Sequence, residues 1–437
     1  MTTLPTWVNP FVEQTSHQAG AEVAWLTELR QQALARFAAE GWPTSRIEAW
    51  HHTSLAAMEK NSYELATGTD ASALFTACKN EEEGYWMAFV NGKYSAELSN
   101  IDAVEVEDGL HINSVAAMLA ANDERLEAIY GEVDAGFSPE ALNLALAQDG
   151  AYIRVKQSQQ ISKPIHLVFI NTDAKAATFT RNFIAVEANA HATVVEHYLS
   201  AEEYTGLTNT VSRVWADKDA NLVHLKLQNQ SEQSVHLGAI DAEQEQSSHY
   251  ESHSMSFGAR LARTGIKTSF KGERCHALLN GLYYVNGRRH VDHFTQIFHE
   301  QPNCTSHEYY RGIMADRGRG VFSGRIVVAE GADGTDAIQR SDSLLLSKMA
   351  RTDTRPELEI YADDVKCAHG ATVGQIDEEA MFYLRTRGLS EKDAFDVLIY
   401  AFATEVLERI PSDSLRKRAA VGIETLLPGG NDSLEHN

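Results

Sequence analysis

Cys367 and His369 stand two positions apart in the run Leu358-Glu359-Ile360-Tyr361-Ala362-Asp363-Asp364-Val365-Lys366-Cys367-Ala368-His369-Gly370-Ala371-Thr372, the densest stretch of potentially reactive side chains in the sequence. On an extended strand such a pair points to one face, with Cα atoms ~7 Å apart. A thiolate and an imidazole are both ligands that iron and zinc accept. Two ligands hold a metal weakly, so a metal function here needs donors from elsewhere. Taken alone, the residue types favour a plainer arrangement, a buried cysteine beside a hydrogen-bonded histidine.

A second concentration is Arg289-His290-Val291-Asp292-His293, followed by His299, Cys304 and His307. A carboxylate such as Asp292 orients a ligating histidine in many metal sites. Strand alternation, however, puts Val291 and His293 on one face and His290 and Asp292 on the other. These histidines therefore read individually as buried structural groups. The remaining cysteines, Cys78, Cys275 and Cys304, read as structural too.

Missing motifs narrow the chemistry. Gly92-Lys93 is followed by Tyr94 and Gly272 by Glu273, so no phosphate loop is present. His307-Glu308 leads to Arg311 and forms no zincin motif, and there is no GxGxxG, GxSxG or CxxC. These absences argue against a self-contained ATPase, zincin or α/β-hydrolase.

The elements that must position these residues fall into three stretches. In residues 1–149, Val23, Leu26, Leu34 and Phe37 recur at helical spacing, and Gly41 with Pro43 ends that run. A Trp-rich connection from Trp42 to Trp50 follows. Tyr85–Val90 before Asn91-Gly92 predicts a strand entering a type I′ turn. Helical spacing returns from about Ser114 to Tyr130, and Ser138-Pro139 predicts a helix with Ser138 as its N-cap. This stretch reads as a mainly helical N-terminal domain.

Residues 150–372 change texture. Short β-rich runs (Tyr152–Val155, Pro164–Ile170, Thr193–Leu199, Thr208–Trp215, Asn221–Leu227, His249–Phe257, Val291–Phe298, Val321–Val328, Leu358–Tyr361) alternate with polar turns, and no helix of 12 or more residues intervenes. A sandwich, a barrel or a stacked solenoid remains. Roughly 220 residues of β structure is large for one sandwich, which favours the solenoid, although no fixed-period repeat is visible.

Residues 373–437 read as helical again. Asp377 caps a short helix ending at Arg387-Gly388, and Ser390-Glu391-Lys392-Asp393 has the form of a capping box. Phe395, Leu398, Phe402, Val406 and Ile410 follow at 3–4-residue spacing until Pro411. A last helix is expected over Ser414–Leu427, and Pro428-Gly429-Gly430-Asn431 marks a frayed end. The Phe395/Leu398/Phe402/Val406 stripe suits core packing, and its place outside the β body leaves a docking helix open.

Composition excludes whole function classes. The 437 residues carry 38 Lys plus Arg against 61 Asp plus Glu, a net charge of −23. Such a surface repels phosphate backbones and anionic lipid, arguing against nucleic-acid and membrane partners. The start lacks a basic region followed by an apolar one, so no secretory signal is read. Four scattered cysteines make no disulfide framework, and a reducing cytoplasm is the expected compartment.

The Leu358–Cys367 and His369–Thr372 text resembles the signature of the SufB/SufD family of iron–sulfur cluster assembly proteins. The resemblance extends upstream through Val291-Asp292-His293, Ile297-Phe298-His299, Cys304-Thr305-Ser306, Val321–Ile326 and Ser343–Ser347. Downstream it takes in Phe382–Gly388 and the Ala394–Ile410 helix, and it is weaker at Ala141-Leu142-Asn143 and at Pro43 with Glu48-Ala49-Trp50. Cys367-Ala368-His369-Gly370 is similar to the SufD form, since SufB-like chains carry acidic residues after this Cys and His. Ser323 departs from the family's usual Asn, and Glu330–Thr335 is a looser match.

That resemblance implies a mainly β fold: a right-handed parallel β-helix flanked by N-terminal and C-terminal α-helical domains. It implies a non-catalytic scaffold in a complex with SufB and the ATPase SufC, with SufC on the C-terminal helices. Phe395, Leu398, Phe402 and Val406 are then the docking candidates. His369 and Cys367 become candidate ligands for iron or an iron–sulfur cluster held transiently at the subunit boundary. A flavin in the complex and a homodimer of the isolated chain are further expectations. The alternative from another class is a carbohydrate-active β-helix enzyme, for which the acidic residues form no readable ligand loop.

Overall fold

The computed structural model describes residues 4–68, 70–80, 82–101 and 108–424. The chain is mainly β, a parallel solenoid of about 8 turns with helices at both ends. It opens with helices α1 (Val8–Thr15), α2 (Ala24–Glu40) and α3 (Ser72–Lys79), then strands β1 (Tyr85–Val90), β2 (Lys93–Ser95) and β3 (Leu110–Ser114). Asn91 and Gly92, at φ 49° and 81°, make the expected tight turn between β1 and β2.

Helices α4 (Val115–Ala120) and α5 (Arg125–Ile129) share the segment that periodicity suggested was continuous, and Ser114 caps the first through Ala117 N–H. Helix α6 (Ser138–Leu146) begins where expected, but Ser138 is not its cap. The Ser138 hydroxyl donates to the Gly41 carbonyl, while Glu140 reaches back to the Phe137 N–H. A contact with α2's end thus outcompetes local capping.

Two sheets build the solenoid. One holds β5 (Ile165–Asn171), β7 (His191–Ser200), β9 (Asn221–Asn229), β11 (His249–Ser256), β13 (His276–Val285), β15 (Thr305–Met314), β17 (Thr335–Leu345) and β19 (Val365–Gly374) in that order, with β1 and β2 extending its first edge. The other holds β4 (Ala151–Val155), β6 (Ala177–Val186), β8 (Leu207–Ala216), β10 (Val235–Gln244), β12 (Leu261–Phe270), β14 (His290–His299), β16 (Arg319–Val328) and β18 (Arg351–Ile360), with β3 antiparallel on β4. The chain alternates between sheets, so each turn stacks in parallel on the one before.

The stacking distance in sequence is not constant. It is 26 positions from Val235 to Leu261 and 32 from Arg319 to Arg351. Varying turn lengths explain why no fixed period shows in the sequence. A polar interior hid several strands as well. Thr335–Leu345, for instance, buries Gln339, Ser341 and Ser343 inward, where an apolar alternation would be expected.

One buried acid inside the solenoid gives a testable pH dependence. Burial pushes the Glu308 carboxyl up to about 7 from 4.5, although hydrogen bonds from Thr295 and Gln339 work the other way. Between those values the folded chain holds a proton that the unfolded chain releases, so this group makes stability fall as pH rises from 4.5 to 7. Glu308→Gln should remove that slope and raise stability at pH 8 by up to about 3 kcal/mol. Unfolding curves from pH 5 to 8 check this, and parallel wild-type and variant profiles would count against it.

Candidate functional site

Strand β19 is the last rung of its sheet, paired with β17 on one side only. Register makes its geometry specific. Cys367 lies beside Ala337, and behind it stand Ser306, Ala277, Tyr250, Leu222 and Ala192. His369 lies beside Gln339, with Glu308, Leu279, Ser252, His224, Val194 and Ile165 behind it. Both columns are buried in the earlier turns. Cys367 and His369 are therefore interior positions that the end of the solenoid leaves uncovered.

Their environments differ. His369 is exposed, while Cys367 is half-buried and packs against the solenoid core. Burial raises the Cys367 thiol, and Asp336 adds to the effect, so the thiolate is disfavoured there. One rung back, Gln339 donates from Nε2 to Glu308 Oε2. A polar column thus leads from the buried acid to the exposed imidazole. Sequence reading missed Gln339 and met Glu308 only as half of a failed zincin motif.

Among the described residues, no group of three or more His, Cys, Asp or Glu side chains is placed to hold a metal ion. The second sequence cluster is dispersed. Arg263 and Thr53 bind the Asp292 carboxylate, and His290 Nε2 is 2.8 Å from the Thr53 hydroxyl. His293 and His299 are fully buried, and His307 lies apart beside Asp336 at 3.8 Å. Asp292 fixes the Trp50 segment to the sheet and orients no ligand. Cys275 and Cys304 are buried, Cys78 is half-buried, and all four cysteines are free thiols.

Around β19 several large apolar side chains lie open beside the exposed Asp363, Asp364 and Lys366. Tyr361, Val373, Phe382 and Tyr383 are 64%, 53%, 71% and 56% exposed, far more than isolated surface aromatics require. Thr372 donates to Asp342 Oδ1 at 2.6 Å, tying β19 to β17. Helix α7 (Glu378–Thr386), capped by Asp377 as expected, follows directly.

Helix α8 (Glu391–Leu407) starts at Ser390, whose hydroxyl accepts from Asp393 N–H. Its inner face is Ala394, Ile399, Ala403, Val406 and Leu407, packed with α9 (Asp413–Glu424) onto Leu225, Met255, Leu282 and Ile313 of the solenoid. Val406, offered by the sequence as a docking residue, is only 1% exposed and belongs to this core. Phe395 and Phe402 pack against the same cluster, and Leu398 is half-buried. The Arg311 guanidinium donates to the Phe402 carbonyl at 2.6 Å and covers its ring. Of the stripe, Val406 is consumed by the chain's own β body and Phe395 and Phe402 flank that contact, because the fully buried face is set around the helix at Ala394, Ile399 and Ala403. Val397, Tyr400 and Val421 are exposed instead. The expected helix end at 425–427 and the segment after it lie outside the described residues.

Among the described residues, no helix is long and apolar enough to cross a membrane. Residues 168–402 match the model of the SUF system FeS cluster assembly SufBD core domain, and residues 1–167 match that of the SufBD protein N-terminal region. The iron-sulfur cluster assembly protein SufD of Escherichia coli K12 is 33% identical over 96% of this chain and 97% of its own length. An iron-sulfur cluster assembly SufBD family protein of Synechocystis is 29% identical over 92% and 91%. The SufD of Bacillus subtilis is 24% identical over 92% and 94%.

Proposed function

Because the chain belongs to the SufB/SufD family of iron–sulfur cluster assembly proteins, on its SufD side, we propose that it is a scaffold subunit pairing with SufB through the β19 end. A role in iron–sulfur cluster assembly comes with the family. In the proposed reading the chain is not an enzyme by itself. It docks the ATPase SufC on the outer faces of α8 and α9 and works in the reducing cytoplasm. Iron or a nascent cluster is its cargo, met by His369 and Cys367 together with donors from the partner.

One observation carries this reading: an interior row bearing a thiol and an imidazole is laid bare on an unpaired strand edge rimmed by exposed aromatics. A long open edge pairs with another strand unless something blocks it. A second chain placed there would bury the apolar rim and bring its own ligands to Cys367 and His369. A two-fold homodimer through the same edge is the second reading, favoured by the same strand.

Light scattering with and without SufB separates the two. A heteromer is expected when both chains are present, and deleting residues 390–437 should remove co-purification with SufC while β19 pairing persists. A homodimer that SufB does not displace, or SufC binding undiminished by the deletion, would refute the corresponding part.

A further inference from the structure

A cleft of about 110 Å³ lies where the N-terminal helices meet the even-numbered sheet, on the opposite sheet from β19. Its floor is one outward-facing row running across five strands: Arg181, Val211, Ala239, Gly265 and Phe294. The next row is Arg213, Asp241, Lys267 and Gln296. Trp50, Phe137 and Pro139 form the opposite wall. A Cβ built on Gly265 would meet nothing nearer than the Gly238 carbonyl at 3.9 Å, so the floor is flat and open there.

The charge in this cleft runs against that of the chain. Arg181 is 5% exposed, yet its Nε and Nη1 donate to uncharged acceptors, the Tyr130 carbonyl at 2.7 Å and Asn143 Oδ1 at 3.0 Å. Its Nη2 and the Arg213 Nη1 lie 2.5 and 3.5 Å from the point where a Gly131 side chain would begin. Two guanidinium groups therefore converge on one corner. Arg213 shares Asp241 with Lys267, at 4.0 and 3.5 Å, and Arg263 is committed to Asp292. Glu132 and Glu140 also line the cleft, and the Glu140 carboxylate is engaged by the Phe137 N–H. Arg213 Nη1 also donates to the Ile129 carbonyl at 3.0 Å, and the Asp241 and Glu140 carboxylates act on Arg181 only through space, so a bound anion would add a direct charged partner to a buried cation. Ligand sites commonly combine such a group with a mainly apolar lining.

We propose that the cleft binds a small organic anion with a flat aromatic body. The ring lies over Ala239 and Gly265, beside the Phe137–Phe294 edge-to-face pair and the Arg263 guanidinium that spans Trp50 and Phe294. The anionic group sits at the Arg181–Arg213 corner. Planar guanidinium donors suit carboxylate, sulfonate or phosphate oxygens. None of these residues touches β19, so the site is independent of the cargo reading above.

The test uses the full chain and a pair of dyes, 8-anilinonaphthalene-1-sulfonate and its uncharged analogue N-phenyl-1-naphthylamine, followed by fluorescence titration. Saturable binding of the sulfonate at one site is expected, with the neutral analogue at least tenfold weaker. Gly265→Phe should fill the floor and weaken the sulfonate at least tenfold while circular dichroism stays unchanged. Arg213→Gln should weaken the sulfonate about fivefold or more and leave the neutral dye alone, which keeps the proposal testable if the glycine variant misfolds. Non-saturating binding, equal affinity for both dyes, or sulfonate affinity unchanged in a folded variant would overturn it.

Discussion

Replacing His369 by Ala is expected to leave folding and partner pairing intact and to lower cluster formation on the assembled complex by roughly tenfold or more, the range typical when a metal's ligand environment is broken. His369 is exposed and terminal in its column, so its removal opens no cavity behind it. Its loss should instead be felt where the partner's donors arrive. Cys367→Ser should act less on folding than a core cysteine would, since Cys367 is only half-buried. Cluster content of the complex, read from its visible absorption, checks both. Wild-type cluster content in His369→Ala with normal subunit stoichiometry would remove the imidazole from the mechanism.

The second large effect is on stability. Glu196 is fully buried inside the solenoid, 3.2 Å from His224 Nε2 and 3.8 Å from Lys226 Nζ, and it accepts from the Tyr198 and Ser212 hydroxyls. Burial alone would raise its carboxyl, but His224 and Lys226 outweigh burial and hold it down at about 2. Burial in turn lowers Lys226 to about 8. Glu196→Ala strands those two basic groups in the core, and the expected loss is about 3–5 kcal/mol. Glu196→Gln should cost less, because an amide still accepts from the two hydroxyls. The double variant Glu196→Leu with Lys226→Met should recover much of the loss, since apolar replacement of a whole buried pair is often neutral. Urea midpoints at constant slope measure all three. A midpoint for Glu196→Ala near that of wild type would mean that these groups are not held as an ion pair in the folded chain.

These two sites show what the amino-acid order discloses and what it withholds. Cys367 and His369 were legible because a two-residue spacing and strand alternation act locally. Asp377, Ser390 and the Asn91-Gly92 turn were legible for the same reason: caps and tight turns are written within four residues. Gln339 and Glu308 were not, although they stand directly behind His369. Their contact depends on register between turns, and turns of unequal length erase the period that would reveal it. Strands such as Leu261–Phe270 and Thr335–Leu345 escaped notice because a polar interior removes apolar alternation. The Phe395–Val406 stripe reads both as a face that packs and as a docking helix, and Val406, with Phe395 and Phe402 beside it, goes to the chain's own core. Whether it packed on the chain itself or on a partner could be decided only by the solenoid surface beneath it, which is assembled from four distant strands.

The position of β19 bears on how such a chain is made. Rungs stack in chain order, so each newly synthesised turn has the previous one ready as a template, and the growing tower always ends in a raw edge. Until the last turn leaves the ribosome, that edge is covered by the next segment to emerge. Afterwards no described residue of the same chain pairs with it. In the completed molecule the open rung of this sheet is β19, and truncated products would expose a different one. Synthesis of the intended partner close in time and place would shorten the interval during which identical copies can meet edge to edge.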